Sequence, residues 1–330
     1  MHRLVVYREN GKYDDYTNIV GGIGWSSSED TLGVQLDFAA ANNKSGIYLP
    51  SATSLNVGSM IGLLNGSKEI FRGIAVTEDS NGIMTKNYTA FDFAFYLNKS
   101  KGIYQFNGIS AFFALNTLFE DFGVPIGNIA MIPTIIDYIY YDKTISDIIK
   151  DILNKAYEET GIKYRMEMRG GKIYIEKQED LVISANFQLA SNLGYKNILE
   201  AISNPNIRRS IEEMKNSIQI VVSNRESGLL VAEAKDDESI KKYGLLQDVQ
   251  SIEEKDIAQA KNIAENLLKD FNRIIEDVSF ECPGNDDVRA GRLINIKEPV
   301  TGINGTYRIK SCSHSLDNGI HKMSLNLGVV

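Results

Sequence analysis

Reactive chemistry in this chain would have to draw on its rarest side chains. The stretch Lys310–Leu327, KSCSHSLDNGIHKMSLNL, holds His314 and His321, two of three histidines, together with Cys312, one of two cysteines. Cys282 lies earlier, beside Pro283-Gly284. Thiolate sulfur and imidazole nitrogen are the donors of a tetrahedral zinc centre. Whether these side chains can meet depends on the turn at Asn318-Gly319, because neighbours along a strand point to opposite faces. With a two-residue loop, Leu316 pairs with His321 and His314 with Met323, so Cys312, His314 and His321 share a face. With a three-residue loop, Asp317-Asn318-Gly319 and a bulge at Gly319, each pairing slips by one and His321 crosses over. The apolar pattern favours the longer loop, which sets Ile309 opposite Leu327 with Tyr307, Met323 and Leu325 on the same face. The shorter one strands Tyr307 and Ile309 on the polar side. The expectation is a three-residue loop that divides the histidines, a buried strand pair, and no metal.

Other motifs carry less. Gly22-Ile23-Gly24 in VGGIGWSSSED lacks the third glycine of a dinucleotide fingerprint and leads into the alternating GVQLDF, so it reads as a turn before a strand. Asp14-Asp15 and Asp286-Asp287 are adjacent carboxylates among turn residues and read as solvated charge, without the spacing of an acid and its partner base. A serine nucleophile needs a histidine base, but His2 is near the chain's start and the others sit in the hairpin. Arg208-Arg209 and Lys241-Lys242 are isolated basic doublets, read as surface charge. FDFAFYL alternates like a buried strand rather than a base-stacking platform. The single tryptophan, Trp25, gives a carbohydrate-binding surface little to work with. No catalytic, cofactor-binding or metal-ligating residue is expected, and no cofactor.

The positioning elements follow from length and pattern. At 330 residues, two or three domains are the natural expectation. With 43 acidic against 35 basic side chains the net charge is -8, which argues against general nucleic-acid affinity. Two cysteines exclude a disulfide framework and fit synthesis in a reducing cytoplasm. The apolar run in MHRLVVYREN is too short for a signal peptide's core, and no stretch approaches the ~20 residues of a membrane span. The chain is expected to leave its cell by lysis or as part of a particle.

Short strands with turns at Asn65-Gly66 and Asn81-Gly82 fill the first hundred residues. Ser110 caps a helix carrying Leu115, Leu118, Phe119 and Phe122, ended by Gly123. Thr144 with Asp147 caps a second helix, whose stripe of Ile145, Ile148, Ile149, Ile152, Leu153 and Ala156 runs to Gly161. In YRMEMRGGKIYIEK a Gly170-Gly171 turn sets Met168 against Ile173 and Met166 against Ile175. ISNPNIRRS reads as turn, then helix or extended chain, before the strand SIQIVV. The longest helix is expected from a cap at Asp256 through Ile275, and strands then close the chain.

Several of these segments, in order, resemble the XkdQ/YqbQ family of phage-like tail proteins. EIFRGIAV followed by YTAFDFAFYLNKS is similar to the family's first β domain. TISDIIKDIL with YRMEMRGGKIYIEK resembles its inserted helical domain. ISNPNIRRSIEEMKNSIQIV, KKYGLLQDVQ and GTYRIKSCSHSLDNGIHKMSLNL resemble the return to β structure. The resemblance implies a β-rich, multidomain α+β chain with two tail-tube-like β-barrels joined by smaller α+β insertions. It places an N-terminal barrel at 1–100, an inserted domain at 101–185, and a linker with a C-terminal barrel and one long helix at 186–330. It further implies the baseplate hub of a contractile phage tail or a tail-like R-type bacteriocin (tailocin), the core of a contractile injection system. Three copies would form a ring adapting a sixfold tail tube to a threefold spike. Implied partners are the chain itself, the tube or its initiator, the spike, and baseplate wedge or other internal tail proteins, with no membrane and no specific nucleic acid. No catalytic or metal residue comes with it. The competing reading is a tail-borne cell-wall hydrolase or peptidase, which clearing of a peptidoglycan zymogram would reveal.

Overall fold

The computed structural model describes residues 1–42, 55–81, 85–184, 188–189, 201–224, 227–252, 254–298 and 302–330. Gly82 of the second expected Asn-Gly turn and the boundary at 185–186 lie outside the described residues. The chain begins with strands β1 (His2–Tyr7), β2 (Tyr13–Asp15), β3 (Val20–Ser28), β4 (Val34–Ala41), β5 (Met60–Asn65), β6 (Lys68–Asn81) and β7 (Thr85–Asp92). Period-two alternation buries Leu36, Phe38 and Ala40 of β4 on one core with Leu4, Ile61 and Leu63. Asn65-Gly66 closes the β5–β6 hairpin, with Gly66 at φ 61°.

Two expectations fail here. VGGIG is the first half of β3, not a turn before it. Gly22, at φ 58°, lies in a register shift between Gly21 and Gly24, so the glycines bulge the strand without ending it. FDFAFYL is not a strand throughout either, since β7 stops at Asp92 and helix α1 (Ala94–Lys99) follows. The cause is the carboxylate inside the apolar run. Asp92 is buried and accepts the backbone N–H groups of Val34 at 2.7 Å and Ala94 at 3.0 Å, which pulls the chain out of extension. Gly33, at φ 96°, leaves the room, since a Cβ there would lie 2.4 Å from Asp92 Oδ1.

The middle of the chain holds β8 (Lys101–Ser110), α2 (Ala111–Asp121), β9 (Ile126–Ile129), β10 (Ile135–Thr144), α3 (Ile145–Thr160), β11 (Tyr164–Arg169) and β12 (Lys172–Lys177). The Ser110 and Thr144 side chains accept from Phe113 N and Asp147 N, and Gly161 ends α3 at φ 70°. The α3 stripe is buried against Leu115, Leu118 and Phe119 of α2. Met166 pairs with Ile175 and Met168 with Ile173, as the Gly-Gly turn requires.

The remainder comprises β13 (Val182–Ser184), β14 (Gln188–Leu189), β15 (Ala201–Ser210), β16 (Ser217–Asn224), β17 (Ser227–Lys235), α4 (Asp237–Tyr243), β18 (Gln247–Ile252), α5 (Ala260–Phe271), β19 (Ile275–Pro283), β20 (Leu293–Glu298), β21 (Ile303–Asp317) and β22 (Ile320–Val329). ISNPNIRRS is thus extended. The helix expected from Asp256 is shorter: a 3-10 turn, Glu254–Gln259, precedes α5, and Ile275 begins β19. At 12 residues α5 is exceeded by the 16 of α3. Asn272 stops it by holding Asp236 and Ser239 through its side chain, which binds the chain to the start of α4. The helix packs Ala260, Ile263 and Ala264 on Ile218 and Ile220 of β16, forming a small core of its own.

Among the described residues one 14-stranded sheet carries both β regions, in the path β14-β15-β19-β22-β21-β3-β4-β7-β6-β5-β1-β2, with β20 joining β13 to β21. The seam is the β21–β3 pairing, which places Trp25 opposite His314. At the tip of β21–β22 the expected loop is corrected. Asp317 pairs with Ile320, and Asn318 and Gly319 have φ of 51° and 78°, a two-residue turn with both centres left-handed. His314 therefore pairs with Met323 and Leu316 with His321. Ile309 still pairs with Leu327, because the register shifts between Ile309 and Ser311. The extra residue is Lys310, not Gly319, so one strand satisfies both the tight turn and the apolar base.

A histidine cluster at the seam of the two β regions

That register puts Cys312, His314, His321, Met323 and Leu325 on one face, with Cys312 and His314 buried. The structure then adds what the sequence kept apart. The β1–β5 pairing sets His2 opposite Asn65, and both reach Asp286 in the turn after β19. All three histidines and the tryptophan meet there. The His314 ring stacks on Trp25 at 4.7 Å with planes 4° apart, and Trp25 also meets the rings of His321 at 4.8 Å and His2 at 5.7 Å.

Hydrogen bonds fix the proton positions. His314 Nε2 lies 3.1 Å from the Val288 carbonyl, which only accepts, so this nitrogen is the donor. Its Nδ1, 3.0 Å from His321 Nε2, then accepts from His321. Burial, reinforced by His321, pushes His314 down to about 3. Burial likewise pushes His321 down to about 4 against the pull of Asp286. For Asp286, burial acts upward but is outweighed by the bonds from His2 and Asn65, which hold its carboxyl at about 2.

The remaining sequence-derived candidates do not join this group. Cys282 is buried in β19 beside Met323, and burial pushes its thiol up to about 12. Cys312 bonds Ser27 Oγ at 3.3 Å. The reading of Asp286-Asp287 as solvated charge holds only for Asp287, whose side chain is 58% exposed and pairs with Lys68, whereas that of Asp286 is 11% exposed. Asp14 pairs with Arg8, and Arg208 and Arg209 pair with Glu212 and Glu276. Lys241 and Lys242 lie in the last turn of α4, where cations suit the helix dipole.

A second polar network docks the middle of the chain onto the sheet. Arg292 donates from Nε and Nη2 to the two carboxylate oxygens of Glu167 on β11, both at 2.7 Å. Arg289, half-buried beside it, donates to the carbonyls of Met168 and Ile70 and so ties β11 to β6.

The assembled architecture matches the fold of solved tail proteins. It superposes on the tail protein from Neisseria meningitidis MC58 with a TM-score of 0.71, at 12% identity, over 99% of this chain and 96% of that one. The chain belongs to the YQBQ-like family, which residues 23–328 match. It is 26% identical over 272 residues to the uncharacterized protein YqbQ of Bacillus subtilis (strain 168), covering 79% of this chain and 78% of that one. It is also 26% identical over 268 residues to the phage-like element PBSX protein XkdQ of the same strain, with the same coverage. The chain is mostly β, with the fold of solved tail proteins. No described helix is long and apolar enough to cross a membrane.

Proposed function

We propose that the chain is the structural hub of a baseplate, in a contractile phage tail or an R-type bacteriocin. Three copies form a ring that adapts the sixfold tube to the threefold spike. The observation that carries this reading is the fold match along almost the whole chain to a tail protein. In it the strands of 1–100 and of 186–330 make two barrel-like units related to tube subunits, with 101–185 as the inserted domain. The continuous β21–β3 pairing supports two such units held at a fixed angle.

A ring also needs surface to bury. The two-stranded sheet of β8 and β10 keeps Phe106, Ile136 and Tyr140 inward and exposes Ile103, Ile135, Ile139 and Tyr141 on its outer face. Exposed apolar area of this kind marks an assembly surface. Contacts with the tube or its initiator, the spike, and the wedge and internal tail proteins complete the role, which is mechanical and not enzymatic. The particle forms in the cytoplasm and leaves by lysis. Particles made with Ile139→Glu/Tyr141→Glu test it. The expected result is a folded variant chain missing from particles that lack the spike. Normal incorporation and normal baseplates would remove this face from the proposal.

A further inference from the structure

The histidine cluster has the donors, the spacing and the supporting contacts of a cation site. His2 Nε2, His321 Nδ1 and an oxygen of Asp286 all lie within 4.8 Å of one another. Asp286 Oδ1 is 2.9 Å from His2 Nε2 and 3.6 Å from His321 Nδ1. Ligand atoms around a tetrahedral ion with bonds near 2.0–2.1 Å sit about 3.3 Å apart, between those two separations. The His321–Asp286 separation would close by about 0.3 Å, and the two histidine nitrogens lie no more than 4.8 Å apart.

The hydrogen-bond chain supplies a second, independent observation. His314 donates to Val288 O, which makes its Nδ1 an acceptor and His321 Nε2 the donor to it. With Nε2 committed to His314, His321 turns its Nδ1 to the Asp286 carboxylate at 3.6 Å in a largely buried place. A cation between these two atoms would be bonded by both. The outer contacts are those of a built centre. His321 spends its other nitrogen on His314, itself clamped by Trp25 and Val288, and Asn65 Nδ2 fixes the second Asp286 oxygen at 2.7 Å. Ligating histidines and carboxylates are held in this way. Gly284 keeps the approach open, because a Cβ there would lie 2.1 Å from the His321 ring.

We propose that His2, His321 and Asp286 bind one divalent ion of the zinc class, with a water in the fourth position. Two imidazoles and one carboxylate suit zinc better than calcium or magnesium, which take oxygen donors. To bind the ion His2 would carry its ring proton on Nδ1 and present the Nε2 lone pair, giving up the hydrogen bond to Asp286. The ion's role is structural: it fastens β1 to the β21–β22 hairpin and to the turn after β19, across the seam between the two β regions.

The test uses the full chain, stripped with chelator and titrated with ZnCl2, and with CoCl2 to read the ligand field. Wild type should take up one equivalent with a tetrahedral cobalt spectrum. Asp286→Asn should abolish that spectrum, and Asn65→Ala, which removes the outer contact to Asp286 together with the bond from the Met1 amine, should weaken zinc binding about 10–100-fold. Asp287→Asn should bind as wild type does. Circular dichroism confirms that each variant is folded, and Asn65→Ala decides the matter if Asp286→Asn is not. Wild type that binds no zinc, or binding unchanged in Asp286→Asn and Asn65→Ala, overturns the proposal.

Discussion

Removing one partner of the Glu167–Arg292 pair should be costly, whereas removing both should cost less. Arg292 meets Glu167 through two bonds of 2.7 Å, and their side chains are 13% and 4% exposed. Burial acts to raise the Glu167 pKa, but Arg292 outweighs it and holds the group ionised. Glu167→Gln leaves the Arg292 guanidinium nearly dry with only neutral acceptors, the glutamine and the Asp287 carbonyl, beside the further half-buried cation Arg289. Stranding a charge in such a place costs about 3–5 kcal/mol. Glu167→Leu/Arg292→Met removes both charges, leaving only Arg169 and Arg289 without the carboxylate, so it should cost less than Glu167→Gln. Several cores make global denaturation a poor ruler. Hydrogen exchange across β11 and β12 reads the docking of the middle region directly. Glu167→Gln should speed exchange there by at least ~100-fold, a shift of about 2.7 kcal/mol that allows for part of the cost appearing elsewhere. A change below tenfold, or a double variant as labile as the single one, would refute the reasoning.

Two further outcomes follow from single residues. Burial pushes Asp92 up to about 7 from 3.8 despite its two backbone bonds, so the folded state holds a proton that the unfolded chain has released. Its contribution is therefore complete below pH ~4 and is lost as pH rises through 7, by up to ~4 kcal/mol; Asp92→Asn should lack that loss when hydrogen-exchange protection of β4 and β7 is compared at pH 5 and 8. The left-handed Asn318 belongs to the two-residue turn, so Asn318→Val should cost ~1–2 kcal/mol and Asn318→Gly almost nothing, read by hydrogen exchange along β21 and β22.

What could be read from the sequence was local. Caps at Ser110 and Thr144, the Gly161 stop and the Gly170-Gly171 register depend on residues a few positions apart, and each appears as its chemistry dictates. FDFAFYL misled because Asp92 is satisfied by Val34, far away in the chain, and alternation alone cannot register that. At Lys310–Leu327 two valid signals, an Asn-Gly turn and an apolar base, demanded different registers. Only a bulge at Lys310 reconciles them, and nothing in its side chain announces one. His2, Asn65 and Asp286 carry no shared motif, since the sheet order alone brings them together. The tight turn was the one available signal that His321 sits beside His314.

The central claim is a position, and imaging the particle that contains this chain by electron microscopy tests it most directly. The hub reading predicts three copies in one ring between the last tube layer and the spike, with both β regions of each copy continuing the sixfold of the tube. Six copies within the tube, or a baseplate centre with no density for this chain, would contradict it.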